Sequence, residues 1–148
     1  MKKKTEKILM VAAAAMLLCL APNCGDAESG ADIKPQVTEL MTTSQSWDGV
    51  DLPNYPEGKP QIKAIKVVIP PHCSLAKHHH DVMSFGYIIK GELTLVRCSD
   101  GKETTVHAGE AVTETVSTTH YGENRGDETT ELVVFYNTKD GQPISEQD

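Results

Sequence analysis

The chain has 148 residues, enough for one domain rather than two. Its 21 acidic residues outnumber 14 basic ones, for a formal net charge of −7, and an acidic surface repels phosphate backbones and anionic headgroups. Nucleic-acid binding through a basic patch is thereby excluded. Hydrophobic residues make up 39% and aromatic residues only 5%, so the chain buries a core, and that core must be mostly aliphatic.

Lys2, Lys3, Lys4 and Lys7 precede an apolar run of 14 residues from Ile8 to Ala21. A bilayer span needs roughly 20 such residues. A basic start, a shorter run and small residues at its exit describe a secretory signal peptide instead. Gly25 and Ala27 supply the small residues, so residues 1–27 are predicted to be a signal peptide cleaved after Ala27. The product is a periplasmic or secreted chain with no integral membrane segment and, with 10 basic and 19 acidic residues, a net charge of −9. Lipid attachment at Cys24 is the weaker alternative, because Pro22 and Asn23 are poor residues before a lipidated cysteine. Export leaves Cys73 and Cys98, which an oxidising compartment would allow to pair.

Residues 28–59 read as an arm broken by Pro35, Pro53, Pro56, Gly49 and Gly58, with Val37 to Trp47 fitting a strand or one helical turn. From residue 60 to 138 the pattern becomes strands. Ile65, Val67 and Ile69 alternate before Pro70 and Pro71 stop the run. Ser84 to Lys90, Leu93 to Arg97, Thr104 to His107, Ala111 to Val116 and Glu131 to Tyr136 follow. Asp100-Gly101 signals a hairpin whose two turn residues both take positive φ. Eight or nine short strands at hairpin spacing predict an all-β sandwich or barrel. Residues 139–148 are expected to be a loose polar tail.

All six histidines lie between positions 72 and 120. His78 and His80, two apart, share one face of a strand and would diverge on a helix, while His79 faces the other way. His120 returns after a hairpin. Three neutral imidazoles with open positions beside them suit a divalent transition metal: Fe, Mn, Zn, Ni or Cu. His72 and His107 lie near turns and are expected at the surface. Tyr87 and Tyr121 fall out of phase with the site, and Trp47 is expected to cover a barrel face or a partner subunit.

His78-x-His80, then Ser84 after three residues and Gly91 after six, matches the first cupin motif except that Ser84 stands where many cupins place a glutamate ligand. Gly109, Thr115, Ser117, His120 and Asn124 match the second motif in order and spacing, with Thr115 for its proline and Ser117 for its glycine. The stretch from Gly86 to Thr94 also looks like a cupin, and the Ser46–Gly49 arm resembles the small exported single-domain cupins of bacteria. This resemblance implies a double-stranded β-helix, or jelly-roll barrel, with the metal in its mouth. It implies that His78, His80 and His120 are the ligands and that Asn124, Gly91 and Gly109 are structural. Cupin barrels commonly pair through an exposed sheet, which implies a homodimer.

Glu114 stands where the second motif usually carries an apolar side chain aimed into the barrel. Alternation from Val112 aims it inward, and a buried carboxylate needs a partner. Glu114 is therefore expected to replace the missing acid, as direct ligand, partner of a metal-bound water, or general base. The alternative is a bulge at Thr113 that turns it to solvent. Two functions stay open: an enzyme acting on a small oxygenated molecule through a metal Lewis acid or O₂ centre, or a non-catalytic pocket for a sugar or organic acid. A structural metal is disfavoured, since closed structural sites want four ligands.

Overall fold

The computed structural model describes residues 34–147, so the expected signal peptide, its cleavage point and Cys24 lie outside the described residues. Contacts divide the chain into residues 1–36 and 37–148. Of the first unit only Lys34 to Gln36 are described, and they form no regular element.

Alternating side chains build nine strands: β1 (Pro60–Ile69), β2 (His78–His79), β3 (Met83–Lys90), β4 (Glu92–Arg97), β5 (Glu103–His107), β6 (Ala111–Thr113), β7 (His120–Glu123), β8 (Thr130–Lys139) and β9 (Glu146–Gln147). There is no helix among the described residues. The strands form two antiparallel sheets, in the orders β1-β8-β3-β6 and β5-β4-β7-β2-β9. The all-β jelly-roll expectation holds.

The core lies between the sheets. Along β8 every second residue from Thr130 to Thr138 is buried, so Leu132, Val134 and Tyr136 face inward. They meet Ile69 and Ile88 from their own sheet and Leu93, Leu95 and Val106 from the other. Each buried aliphatic side chain contributes about 1.5–3 kcal/mol on leaving water. Between β3 and β4 the chain changes sheets at Gly91. Its φ is 74°, and a Cβ there would lie 2.9 Å from the Thr129 carbonyl oxygen. Glycine alone fits.

Four details differ from the sequence expectations. Val37 to Trp47 forms neither strand nor helical turn; the arm holds only an isolated bridge between Gln45 and Asp51. Tertiary contacts explain this, since Arg97 Nη1 bonds Asp48 at 2.9 Å and the Trp47 backbone N–H donates to the Thr113 carbonyl at 3.1 Å. Trp47 packs against the core, as expected. The Asp100-Gly101 hairpin exists, but only Gly101 has positive φ. The Arg97 N–H donates to the Lys102 carbonyl across a wider loop, with the Asp100 carboxylate clamped by Arg97. The strand expected from Ala111 to Val116 stops at Thr113. The tail is not loose: β9 pairs with β2, and Ile144 packs against the core. Cys73 and Cys98 are both exposed and free.

Candidate metal centre

Strand β2 carries His78, and His80 follows one residue beyond its end, so extended backbone puts both rings on one face. Strand β7 brings His120 opposite His78 in register. The ring centroids stand 4.7 Å apart for His78–His80, 4.7 Å for His78–His120 and 5.1 Å for His80–His120. One donor nitrogen from each ring lies within 4.8 Å of the others. His79 points elsewhere, 4.0 Å from carboxylate oxygens of Asp81 and Glu146. His72 and His107 are exposed.

Each clustered ring donates its Nδ1–H to a backbone carbonyl: His78 to Ala76 at 2.8 Å, His80 to Ile144 at 2.7 Å and His120 to Thr118 at 2.8 Å. A proton held on Nδ1 leaves Nε2 of the neutral ring as a lone-pair donor. The Nε2 atoms of His80 and His120 are buried with no hydrogen-bond partner, and an orphaned buried polar atom costs about 1–3 kcal/mol. A divalent metal would satisfy them, and three imidazoles are a donor set that transition metals favour. The residues present fit such an ion.

Glu114 points inward and is only 8% exposed, so the outward bulge does not occur. Its backbone N–H donates to the Ser84 carbonyl at 3.1 Å. Its Oε2 accepts a 2.7 Å hydrogen bond from the Ser84 hydroxyl and lies 3.1 Å from His80 Nε2, off the line of a ring hydrogen bond. Among the described residues the set of mutually close donors is His78, His80 and His120. Glu114 therefore flanks that set.

Charge balance follows from these contacts. Burial opposes charge on His80, but the adjacent Glu114 carboxylate outweighs it and raises the ring's affinity for a proton, so metal binding would release a proton from His80 Nε2. Burial likewise pushes Glu114 toward its neutral acid, yet His80, Ser84 and His120 together hold it below the ordinary carboxylate value. His120 is pushed down, first by burial and then by its histidine neighbours. Tyr136 is pushed up by burial and by the charge of Glu114, so its hydroxyl stays protonated.

The cluster opens into a cavity of about 260 Å³ with aliphatic walls that include Ile65, Val67, Leu93, Leu95, Leu132 and Val134. Among the described residues no lysine or arginine lines it. Two contributors escaped the sequence reasoning. Tyr136, whose ring centroid is 5.3 Å from that of His80, continues the inward phase of Leu132 and Val134, and that phase was the available signal. Ile144 acts through its carbonyl, which leaves no trace in a sequence.

Residues 65–136 match the family model described as "Cupin domain". These residues form a cupin domain. Comparison with the curated proteins finds no match. Among solved structures, an oxalate decarboxylase–formate complex of Lactobacillus farciminis is 22% identical, with a TM-score of 0.50, over 58% of this chain and 26% of that one. An oxalate decarboxylase of Bacillus subtilis with Mn(II) centres is 27% identical, with a TM-score of 0.49, over 58% and 23%. A Thermotoga maritima protein described as a predicted oxalate decarboxylase is 23% identical, with a TM-score of 0.45, over 51% and 65%. This cupin spans about a quarter of the length of the first two. The Lactobacillus likeness bears on the barrel fold alone.

Against the cupin motifs, the three departures all touch the site. Ser84 holds Glu114. The Thr115 hydroxyl lies 2.9 Å from His120 Nδ1. Ser117 occupies the motif's glycine position at a φ of 51°, and its N–H donates to the His80 carbonyl at 2.7 Å.

Proposed function

We propose that this cupin binds one divalent transition metal through His78, His80 and His120 and acts on a small oxygenated molecule with an apolar body. The convergence of three imidazole nitrogens on an aliphatic cavity supports this reading most directly. A bound metal supplies a Lewis acid or an O₂ centre. Glu114 is the general base, taking a proton from a ligand O–H or C–H beside the histidines, and Ser84 steadies the oxygen that receives it. Tyr136 keeps a neutral hydroxyl at the wall, and the aliphatic residues exclude water. Among the described residues no lysine or arginine lines the cavity, which disfavours ligands with a second anionic group far from the metal.

Metal analysis of untagged protein from the periplasm tests the metal, with iron, manganese, zinc, nickel and copper measured together. Substrate-dependent O₂ uptake or isomerisation supports an enzyme. Ligand binding without turnover makes it a binding protein for a sugar or organic acid. The localisation belongs to the same proposal: an exported chain starting at Glu28, checked by intact mass. A homodimer is its assembly, through the outer face of β1-β8-β3-β6, where Phe85 stacks on Phe135 and Val68, Tyr87 and Ile89 are exposed. Sedimentation at micromolar concentration decides it.

A further inference from the structure

The C-terminal segment reaches the histidine cluster from beyond residue 136, where the family match ends. It makes three kinds of contact there. The Ile144 carbonyl accepts the Nδ1–H of His80 at 2.7 Å. Strand β9 pairs with β2, His78 opposite Gln147 and His79 opposite Glu146. Ile144, Ser145 and Gln147 line the cavity, and Ile144 packs against the core.

These contacts matter because β2 has little else to hold it. Its other neighbour, β7, pairs with it at a single register position, His78 with His120. A two-residue strand with one partner on one side is marginal. His80 is 1% exposed, so water cannot readily replace the carbonyl that keeps the proton on Nδ1. With that proton on Nε2 instead, the ring would point a hydrogen, not a lone pair, at the other two nitrogens.

We propose that residues 144–147 are a positioning strap for the metal centre: the Ile144 carbonyl sets the tautomer of His80, and β9 holds the strand that presents His78. This rests on the three-histidine metal site proposed above. Ligating histidines ordinarily depend on such outer partners, whose loss lowers metal affinity by about 10–100-fold.

Two truncations and one control test it. A chain ending at Pro143 loses the carbonyl and β9, one ending at Glu146 keeps the carbonyl, and Ile144→Val keeps both. Co²⁺ and Zn²⁺ affinities by competition, the Co²⁺ visible spectrum and the NMR signal of the His80 Nδ1 proton are compared in all of them. Ending at Pro143 should weaken both metals at least tenfold, change the Co²⁺ spectrum and abolish the Nδ1 proton signal, while circular dichroism keeps the barrel. Ending at Glu146 should cost less, and Ile144→Val should match the parent. Affinities within twofold of the parent after loss of residues 144–148 would overturn the strap. If the full chain binds neither metal, the metal reading has failed, and the Nδ1 proton of the metal-free protein still judges the strap: lost on truncation supports it, unchanged refutes it. Where truncation unfolds the barrel, Ile144→Asp expels the anchor from its apolar seat at full length, and the same readings apply.

Discussion

Placing a second carboxylate at Ser84 tests whether Glu114 has taken over the position of the missing acid. The two side chains are in contact at 2.7 Å, and Ser84 is 1% exposed. Ser84→Glu therefore sets two buried carboxylates against each other, where like charges about 4 Å apart repel by ~4 kcal/mol at an effective dielectric near 20. Overpacking adds about 1–3 kcal/mol. Much of the repulsion is relieved when one acid takes up a proton, so the expected loss at neutral pH is about 3 kcal/mol. Introducing Ser84→Glu into a Glu114→Ala background removes the repulsion and opens room for the longer chain. Urea unfolding of parent, both single variants and the double variant closes the cycle. A coupling of at least about 2 kcal/mol is expected, with the double variant more stable than Ser84→Glu alone. A coupling near zero would mean that the two positions do not share one acid site.

The other predictions concern separate parts of the chain. Replacing His78, His80 or His120 by Ala should each abolish tight Zn²⁺ binding, whereas His79→Ala should leave it within a few-fold, as isothermal titration will report; loss of binding in His79→Ala alone would misalign the site. Ser117 holds a left-handed backbone at a φ of 51°, a conformation that costs a side-chain-bearing residue about 1–2 kcal/mol. Ser117→Gly should therefore raise stability by about 0.5 kcal/mol after the extra unfolded-state entropy of glycine, and Ser117→Val should lower it. Burial works against charge on Asp48, but bonds from Ser46 and Arg97 outweigh it and hold the carboxyl below its ordinary value. A depressed carboxylate stabilises the fold fully above its unfolded pKa, near 4, and loses that contribution as pH falls through the lower folded value. Asp48→Asn should thus be less stable than the parent by about 1–3 kcal/mol at pH 7, with the gap narrowing below about pH 4 in urea melts; a gap that widened in acid would refute the assignment.

Much of the site was legible because its signals are periodic. His78 and His80 share a face only on extended chain, so the strand character of their surroundings was enough to pair them. Glu114 could be aimed inward by counting from Val112, although β6 ends one residue before it. What stayed hidden depends on backbone atoms or on distant neighbours. Every residue owns a carbonyl, so nothing in the polar tail marks that of Ile144 as the acceptor for His80. The arm around Trp47 takes its shape from Arg97 and Thr113, about fifty residues or more away. Asp-Gly predicts a tight two-residue turn, but the Asp100 carboxylate bonds Arg97 and the Lys102 N–H, and the loop opens around it.

The relocation of the acid has a chemical consequence under the proposed reading. A glutamate at position 84 would enter the ligand set, neutralise part of the metal's charge and fill one of its open positions. Glu114 flanks the set, hydrogen-bonded to Ser84 and 3.1 Å from His80 Nε2. A carboxylate there would stay free to exchange a proton with a bound molecule, while three neutral imidazoles would leave a bound ion's charge less shielded than a set that includes a carboxylate. An uncharged molecule that loses a proton on binding then suits the site better than a preformed dianion. Its proton would pass to Glu114, the metal held by His78, His80 and His120 would supply the balancing positive charge, and among the described residues no lysine or arginine lines the cavity to hold a second charge.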